Sequence, residues 1–148
     1  VSESEVVQQT NIPATPQSVY AVVTDYEAYP NFFPEFTESM ILDTEADGTR
    51  IVEFVADFGK KTSYTLRIEH DDSKHTTSWT YVGGDLKDSK GGWTLSDDGK
   101  GGTDITYRIG VKVGFFVPKT ISDALISRNV PTMFKQLAEE VKRRAEGQ

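Results

Sequence analysis

Five side chains carry the clearest chemistry in this sequence: Tyr64, Trp79, Tyr81, Trp93 and Tyr107. Each joins a flat apolar face to one hydrogen-bonding tip, so a set of them can stack on a planar ring and orient it, or can fill an ordinary core. Trp79, Tyr81 and Trp93 fall on neighbouring late strand segments, with Tyr64 and Tyr107 on inward positions nearby. Phe54, Leu66 and Ile109 share that inward set, and Ile121, Leu125, Met133 and Phe134 face it from the last segment. These residues, with Arg128, are the candidate ligand-contacting set.

Arg128 lies about one turn beyond the Ile121–Leu125 stripe, where an apolar residue is expected. A guanidinium there either meets a ligand carboxylate or carbonyl at a cavity mouth, or is turned to water by a phase shift at Pro131. Water is the commoner fate, because Arg is rarely buried without a partner. Glu38 shares strand parity with Phe36, Met40 and Leu42. In a regular strand it faces inward as an acid whose pKa burial would raise; after a bulge it faces solvent, and Pro34 favours an irregular start.

His70 and His75 flank a short turn beside Asp71 and Asp72, a weak metal-site pattern better read as a solvated hairpin end. The pairs Gly83–Gly84, Gly91–Gly92 and Gly101–Gly102 lack the Gly-Lys-Ser/Thr ending of a phosphate loop. Turns explain the first and last pairs, and the middle pair reads as a bulge within a strand. No Ser/His/Asp order suggests nucleophilic catalysis. With no cysteine, disulfides, thiolate metal sites and a Cys nucleophile are excluded. No catalytic residue, metal or cofactor is expected.

The elements that position these groups can be read from turn chemistry. Glu5–Ile12 is a weak first strand. Thr15 caps a helix that Pro16 opens and that ends near Asp25–Tyr26, with Val19, Val22 and Val23 inward. A second helical turn over Glu27–Phe32 is expected to stop at Pro30 and Pro34. Six strands follow: Phe36–Thr44, Arg50–Phe58, Thr62–His70, His75–Val82, Leu86–Leu95 and Thr103–Val113. Hairpin-length connections favour an antiparallel meander. From Pro118 to about Ala145 the pattern is an amphipathic helix that Pro131 should kink or split. One helix about 10 Å across cannot fill the concavity of a wide, twisted sheet, so large side chains or a ligand must occupy the rest.

The chain of 148 residues fits one domain over 1–148 and carries a net charge of −7. Residues 1–49 hold nine acids and no Lys or Arg; the remainder holds fourteen acids and sixteen bases. That field has the wrong sign for nucleic acid. No run is long and apolar enough for stable membrane insertion. No signal-peptide pattern is visible after Val1, so the cytoplasm is the expected compartment, with export after removal of an N-terminal segment left open. Oligomeric state is not fixed by the sequence.

The run from Ile12 to Tyr20, then Val22-Val23-Thr24-Asp25-Tyr26-Glu27-Ala28-Tyr29-Pro30 and Phe33-Pro34, resembles the opening of the polyketide cyclase/dehydrase and coenzyme Q-binding branch of the START-like (SRPBCC) superfamily. Gly92-Trp93-Thr94-Leu95, Gly102-Thr103-Asp104-Ile105-Thr106-Tyr107 and Val117-Pro118 resemble its last strands and the opening of its final helix. The resemblance spans nearly the whole chain and implies an α+β helix-grip (birch-pollen-allergen-like) fold: a seven-stranded antiparallel sheet gripping a long C-terminal helix. It also implies an apolar pocket, with a small hydrophobic molecule as partner. It does not fix one activity. The leading expectation is a non-enzymatic carrier or sensor of a lipid, isoprenoid quinone or aromatic polyketide-like molecule. The alternatives are an aromatase/cyclase or dehydratase, with Glu38, Arg128, Tyr64 and Tyr107 as its candidates, and a protein-interaction module with a vestigial cavity.

Overall fold

A computed structural model of the chain describes residues 3–57, 61–113 and 119–147, with side chains for 6–57, 61–112 and 129–147. The order of elements is β1 (Glu3–Ile12), α1 (Pro16–Val23), a 3-10 turn (Tyr26–Ala28), α2 (Tyr29–Phe32), β2 (Phe36–Thr44), β3 (Arg50–Asp57), β4 (Lys61–Asp71), β5 (Thr76–Gly84), β6 (Leu86–Asp97), β7 (Thr103–Val113) and α3 (Lys119–Glu146). The seven strands form one antiparallel sheet in the order β1-β7-β6-β5-β4-β3-β2. Short connections pair each of β2 to β6 with its successor, whereas the two helices carry the chain from β1 at one edge to β2 at the other.

Local chemistry sets the helices. The Thr15 hydroxyl accepts the Ser18 amide at 3.2 Å and Pro16 sits in the first turn, where no N–H is needed. Pro30 does not stop the second helical segment, as the sequence suggested. It lies in the first turn of α2, the place where proline is tolerated, and so helps start it. Nor does Pro131 split the last helix: α3 runs through it for 28 residues, about 42 Å, with the proline on the exposed side.

The run Asp25–Tyr29 ties the 3-10 turn to four neighbours. Asp25 accepts from the Arg144 guanidinium of α3 at 2.9 Å. Tyr26 bonds the His70 ring of β4 at 2.8 Å. Glu27 accepts the Ile41 amide of β2 at 3.1 Å, and the Tyr29 phenol donates to the Val23 carbonyl at the end of α1. This part of the sequence motif is therefore a structural hub.

The core lies between the inner sheet face, α1, α2 and α3. Val130, Phe134, Leu137 and Val141 form the buried stripe of α3, while Lys135 and Glu139 are exposed. The cations near its end are held: Glu140, itself buried, accepts from Arg143 and Arg144. Those three hydrogen bonds, the Arg143 ones first, keep the Glu140 carboxyl below its ordinary pKa.

Candidate functional site

Register gives the inner face a depth axis. Leu95 pairs with Ile105, then Thr77–Trp93–Tyr107 form the next inward row, then Ile68–Trp79–Gly91–Ile109, then Val52–Leu66–Tyr81, then Phe54–Tyr64. Leu95, Ile105, Trp93 and Tyr107 are buried, whereas Ile109, Tyr81 and Tyr64 keep solvent-accessible surface. Val52, Leu66 and Phe54 of the last two rows are buried as well, so access is confined to single side chains. One end is sealed by the α1 valines and Leu137; the other is lined by rings.

Two groups of rings, most of them buried, lie along the inner face. Trp93 and Tyr107 lie 4.4 Å apart, with Trp79 at 6.0 Å from Tyr107 and Phe134 of α3 at 6.2 Å from Trp93. Opposite them, Tyr29 stacks on Phe54 at 5.8 Å, and Phe54 leads to Tyr64 at 5.7 Å. Phe33 and Phe36 join this second group through Tyr29. The sequence reading had Phe54 and Tyr64 but missed Tyr29, Phe33 and Phe36, because these come from a four-residue helix, its end and a strand start, none with a sheet-like spacing. The available signal was density: Tyr26, Tyr29, Phe32, Phe33 and Phe36 fall within eleven residues.

The polar tips divide into two kinds. The Trp79 indole donates to the Ser89 hydroxyl at 3.2 Å. The Tyr81 phenol donates to the Leu86 carbonyl at 2.6 Å and accepts the Leu86 amide at 3.1 Å. Both tips brace the β5–β6 connection. By contrast, the Tyr64 and Tyr107 phenols and the Trp93 indole N–H find no hydrogen-bond partner among the described residues. Desolvation alone pushes the Tyr64 phenol pKa up; Tyr107 is pushed up first by burial and then by its neighbour Tyr64. Both phenols stay protonated across the ordinary pH range and remain hydrogen-bond donors.

Of the two readings of Glu38, the structure has the bulged, solvent-facing one that the sequence favoured. A register shift between Phe36 and Glu38 reverses the strand's faces, so Glu38, Met40 and Leu42 turn to solvent while Ser39 and Ile41 pair with the inward Phe54 and Val52. His70 and His75 do not face each other. His70 sits between Tyr26 and the Gly48 carbonyl, and His75, at positive φ in the turn, packs edge-on against Tyr20. Among the described residues no group of three metal-ligating side chains is placed to hold an ion. Gly91 and Gly92 pair without a register shift. They are glycines because a Cβ would come 2.1 Å from the Arg108 carbonyl at Gly91 and 2.0 Å from the Thr77 carbonyl at Gly92. Met133 is partly buried against the core. The side chains of Ile121, Leu125 and Arg128 lie outside the described residues, as does the turn at Gly59–Lys60. No described helix is long and apolar enough to cross a membrane.

A seven-stranded antiparallel sheet closed around a long final helix, with rings lining one half of the space between, defines a START-like helix-grip protein. Residues 12–138 match the family described as polyketide cyclase/dehydrase and lipid transport, and the chain belongs to it. Comparison with curated proteins gives no match. Among solved structures, a START superfamily protein from Mycobacterium smegmatis is similar with a TM-score of 0.86 at 19% identity, over 94% of this chain and 97% of that one. The protein TTHA0849 from Thermus thermophilus is similar with a TM-score of 0.84 at 24% identity, over 95% and 98%. The Zhui aromatase/cyclase from Streptomyces sp. R1128 is similar with a TM-score of 0.86 at 18% identity, over 97% and 96%. At these identities the likeness is one of fold.

Proposed function

We propose that this protein binds a small hydrophobic molecule between the ring-lined half of the sheet and α3, as a carrier or sensor rather than as a catalyst. The observation that carries this reading is the pair of phenols, Tyr64 and Tyr107, set on the inner face with no hydrogen-bond partner among the described residues. Neither phenol oxygen is among the fully buried unpaired polar atoms, so each keeps a donor that a ligand acceptor can take over from water. The ligand that fits is flat and largely apolar with a carbonyl or hydroxyl acceptor, such as a short-chain quinone or a polycyclic phenol. Family membership and the fold likeness to an aromatase/cyclase are compatible with chemistry on such a molecule. Yet the acid and phenols available for it point the other way. Glu38 faces solvent, and phenols with raised pKa values donate hydrogen bonds well but are poor proton-transfer groups near neutral pH.

The test is titration of the protein with short-chain quinones and flat polycyclic phenols, following Trp emission corrected for ligand absorption, together with the melting midpoint. Burial at roughly 25 cal/mol per Å², offset by ordering costs, sets an expectation of about micromolar affinity. Native mass spectrometry of protein from its own host would identify a resident molecule. If no such ligand moves emission or midpoint and the purified protein carries none, the reading fails.

A further inference from the structure

At the β2 edge the sheet turns large apolar side chains to water. The alternation of β3 puts Val52, Phe54 and Ala56 on the buried side, so Ile51, Glu53 and Val55 face outward and are half-buried. Register places Glu38 opposite Val55, Met40 opposite Glu53 and Asp43 opposite Ile51, with Leu42 in the second register shift, between Ile41 and Asp43. Met40 and Leu42 are 52% and 50% exposed, two of the four exposed large apolar side chains among the described residues. They stand beside Ile51 and Val55 on two neighbouring strands, so the apolar surface is a patch rather than scattered points.

The patch is rimmed by carboxylates that no cation neutralises. Glu38, Asp43 and Glu53 make no ion pair among the described residues. The cations on this face are already engaged: Arg67, opposite Ile51, holds Glu45 at 2.6 Å and Glu69 at 3.5 Å, and Lys61 stands opposite Asp57. Six acids (Glu38, Asp43, Glu45, Glu53, Asp57 and Glu69) thus face two bases (Lys61 and Arg67), a formal charge of −4, and counting Lys60 of the β3–β4 connection still leaves −3.

The free edge of β2 is closed to strand addition. Two register shifts bend it, and the Glu27 carboxylate takes the Ile41 amide at 3.1 Å. What the edge offers is its outer face, with a flexible thioether that adapts to irregular contacts. We propose that this face docks a basic amphipathic segment of another protein, with apolar side chains laid on Met40, Leu42, Ile51 and Val55 and Lys or Arg reaching Glu38, Asp43 and Glu53. Exposed ion pairs contribute little alone, so apolar contact supplies the affinity, while the charges orient the segment and reject acidic ones. A second copy fits less well, because a two-fold contact would set this acidic face against itself.

The probe is a short Leu/Lys peptide with helical patterning, titrated against the intact protein by fluorescence anisotropy at about 0.15 M salt, where unspecific attraction to the net charge is damped. Leu/Glu and Ser/Lys peptides of equal length control for charge and for apolar contact, and each should bind at least about tenfold more weakly. Met40→Ser with Leu42→Ser, which shortens exposed side chains only, should weaken the Leu/Lys peptide by about tenfold and keep the melting midpoint. Glu38→Gln with Glu53→Gln should weaken it a few-fold and flatten its salt dependence, whereas Glu139→Gln with Glu146→Gln, on exposed positions of α3, should do neither. The proposal is overturned if the Leu/Lys peptide does not bind, if the Ser/Lys peptide binds equally, if the serine variant leaves the affinity unchanged, or if the α3 variant acts like the β2–β3 one. It is also overturned if sedimentation shows a wild-type dimer that the serine variant abolishes, which would assign the face to a second copy. None of these readouts involves the ring-lined pocket, so failure of that site leaves the outcome unaffected.

Discussion

At one end of the inner sheet face, Val19, Val22, Val23, Ile105 and Leu137 are sealed from solvent. At the other, Tyr64, Tyr81, Ile109 and Met133 retain accessible surface although they belong to the same alternation and the same helical stripe. The difference lies in what covers them. The sealed end has α1, the C-terminal part of α3 and the Asp25–Tyr29 hub pinning both to the sheet. Its residues are small and branched, so they close together without gaps. Rings stand at the other end, where Phe54 and Tyr64 meet at a tilted angle 5.7 Å apart and Tyr64 keeps accessible surface. In a helix-grip chain, stability and ligand capacity can thus be assigned to opposite ends of one sheet face.

The largest effect that can break this contrast is expected at Leu137. Leu137→Ala removes a fully buried side chain from the sealed end and should cost about 2–5 kcal/mol in chemical denaturation. Tyr64→Ala removes more atoms but should cost clearly less, because part of that ring already faces accessible space. Equal losses would mean the two ends are packed alike.

A smaller effect is expected from pH at the edge of the sealed end. His70 must carry its proton on Nδ1, 3.0 Å from the Gly48 carbonyl, which leaves Nε2 to accept the Tyr26 phenol. Burial first, and the Arg50 guanidinium second, hold the His70 pKa below its ordinary value of 6.5. A group whose neutral form is favoured by the fold stabilises it above the unfolded pKa, and that stability is lost as pH falls through about 6.5 and on to the lower folded value. The lowered carboxyls of Asp47, Asp71 and Asp98 act only in a more acidic window. Denaturation midpoints should therefore decline between about pH 7 and pH 5 in the wild type and decline less in His70→Gln. Parallel curves would show that the histidine does not couple to folding.

The sequence made the sealed end more legible than the open one, for a physical reason. Strand limits followed from turn residues, and the inward valines of α1 and the Phe134–Leu137 stripe of α3 followed from periodicity, both local properties of the chain. What escaped depends on pairing between distant segments. The bulge that turns Glu38 outward was one of two readings and is decided only in the match between β2 and β3, which also turns Met40 and Leu42 outward. Gly91 and Gly92 are required by carbonyls of β7 and β5, which no pattern within β6 reveals. Whether an aromatic tip is spent or free was equally hidden: Trp79 and Tyr81 looked as available as Tyr64 and Tyr107 until Ser89 and Leu86 were seen to hold them.

That last distinction yields the smallest and most discriminating effect. Tyr64→Phe and Tyr107→Phe each delete a hydroxyl that breaks no hydrogen bond among the described residues, so the melting midpoint should hold or rise slightly. Tyr81→Phe deletes one that bonds both the amide and the carbonyl of Leu86, so it should lower the midpoint. Ligand affinity should show the reverse order. A quinone that accepts from Tyr64 or Tyr107 would lose one neutral hydrogen bond in either variant, about 0.5–1.5 kcal/mol or a two- to tenfold weaker Kd. A polycyclic hydrocarbon of similar size has no acceptor and should bind both variants as it binds the wild type. Tyr81→Phe should affect the two ligands alike, through the loosened β5–β6 connection. If quinone and hydrocarbon respond identically to Tyr64→Phe and Tyr107→Phe, these phenols do not meet the ligand, and the open end acts through its ring faces alone.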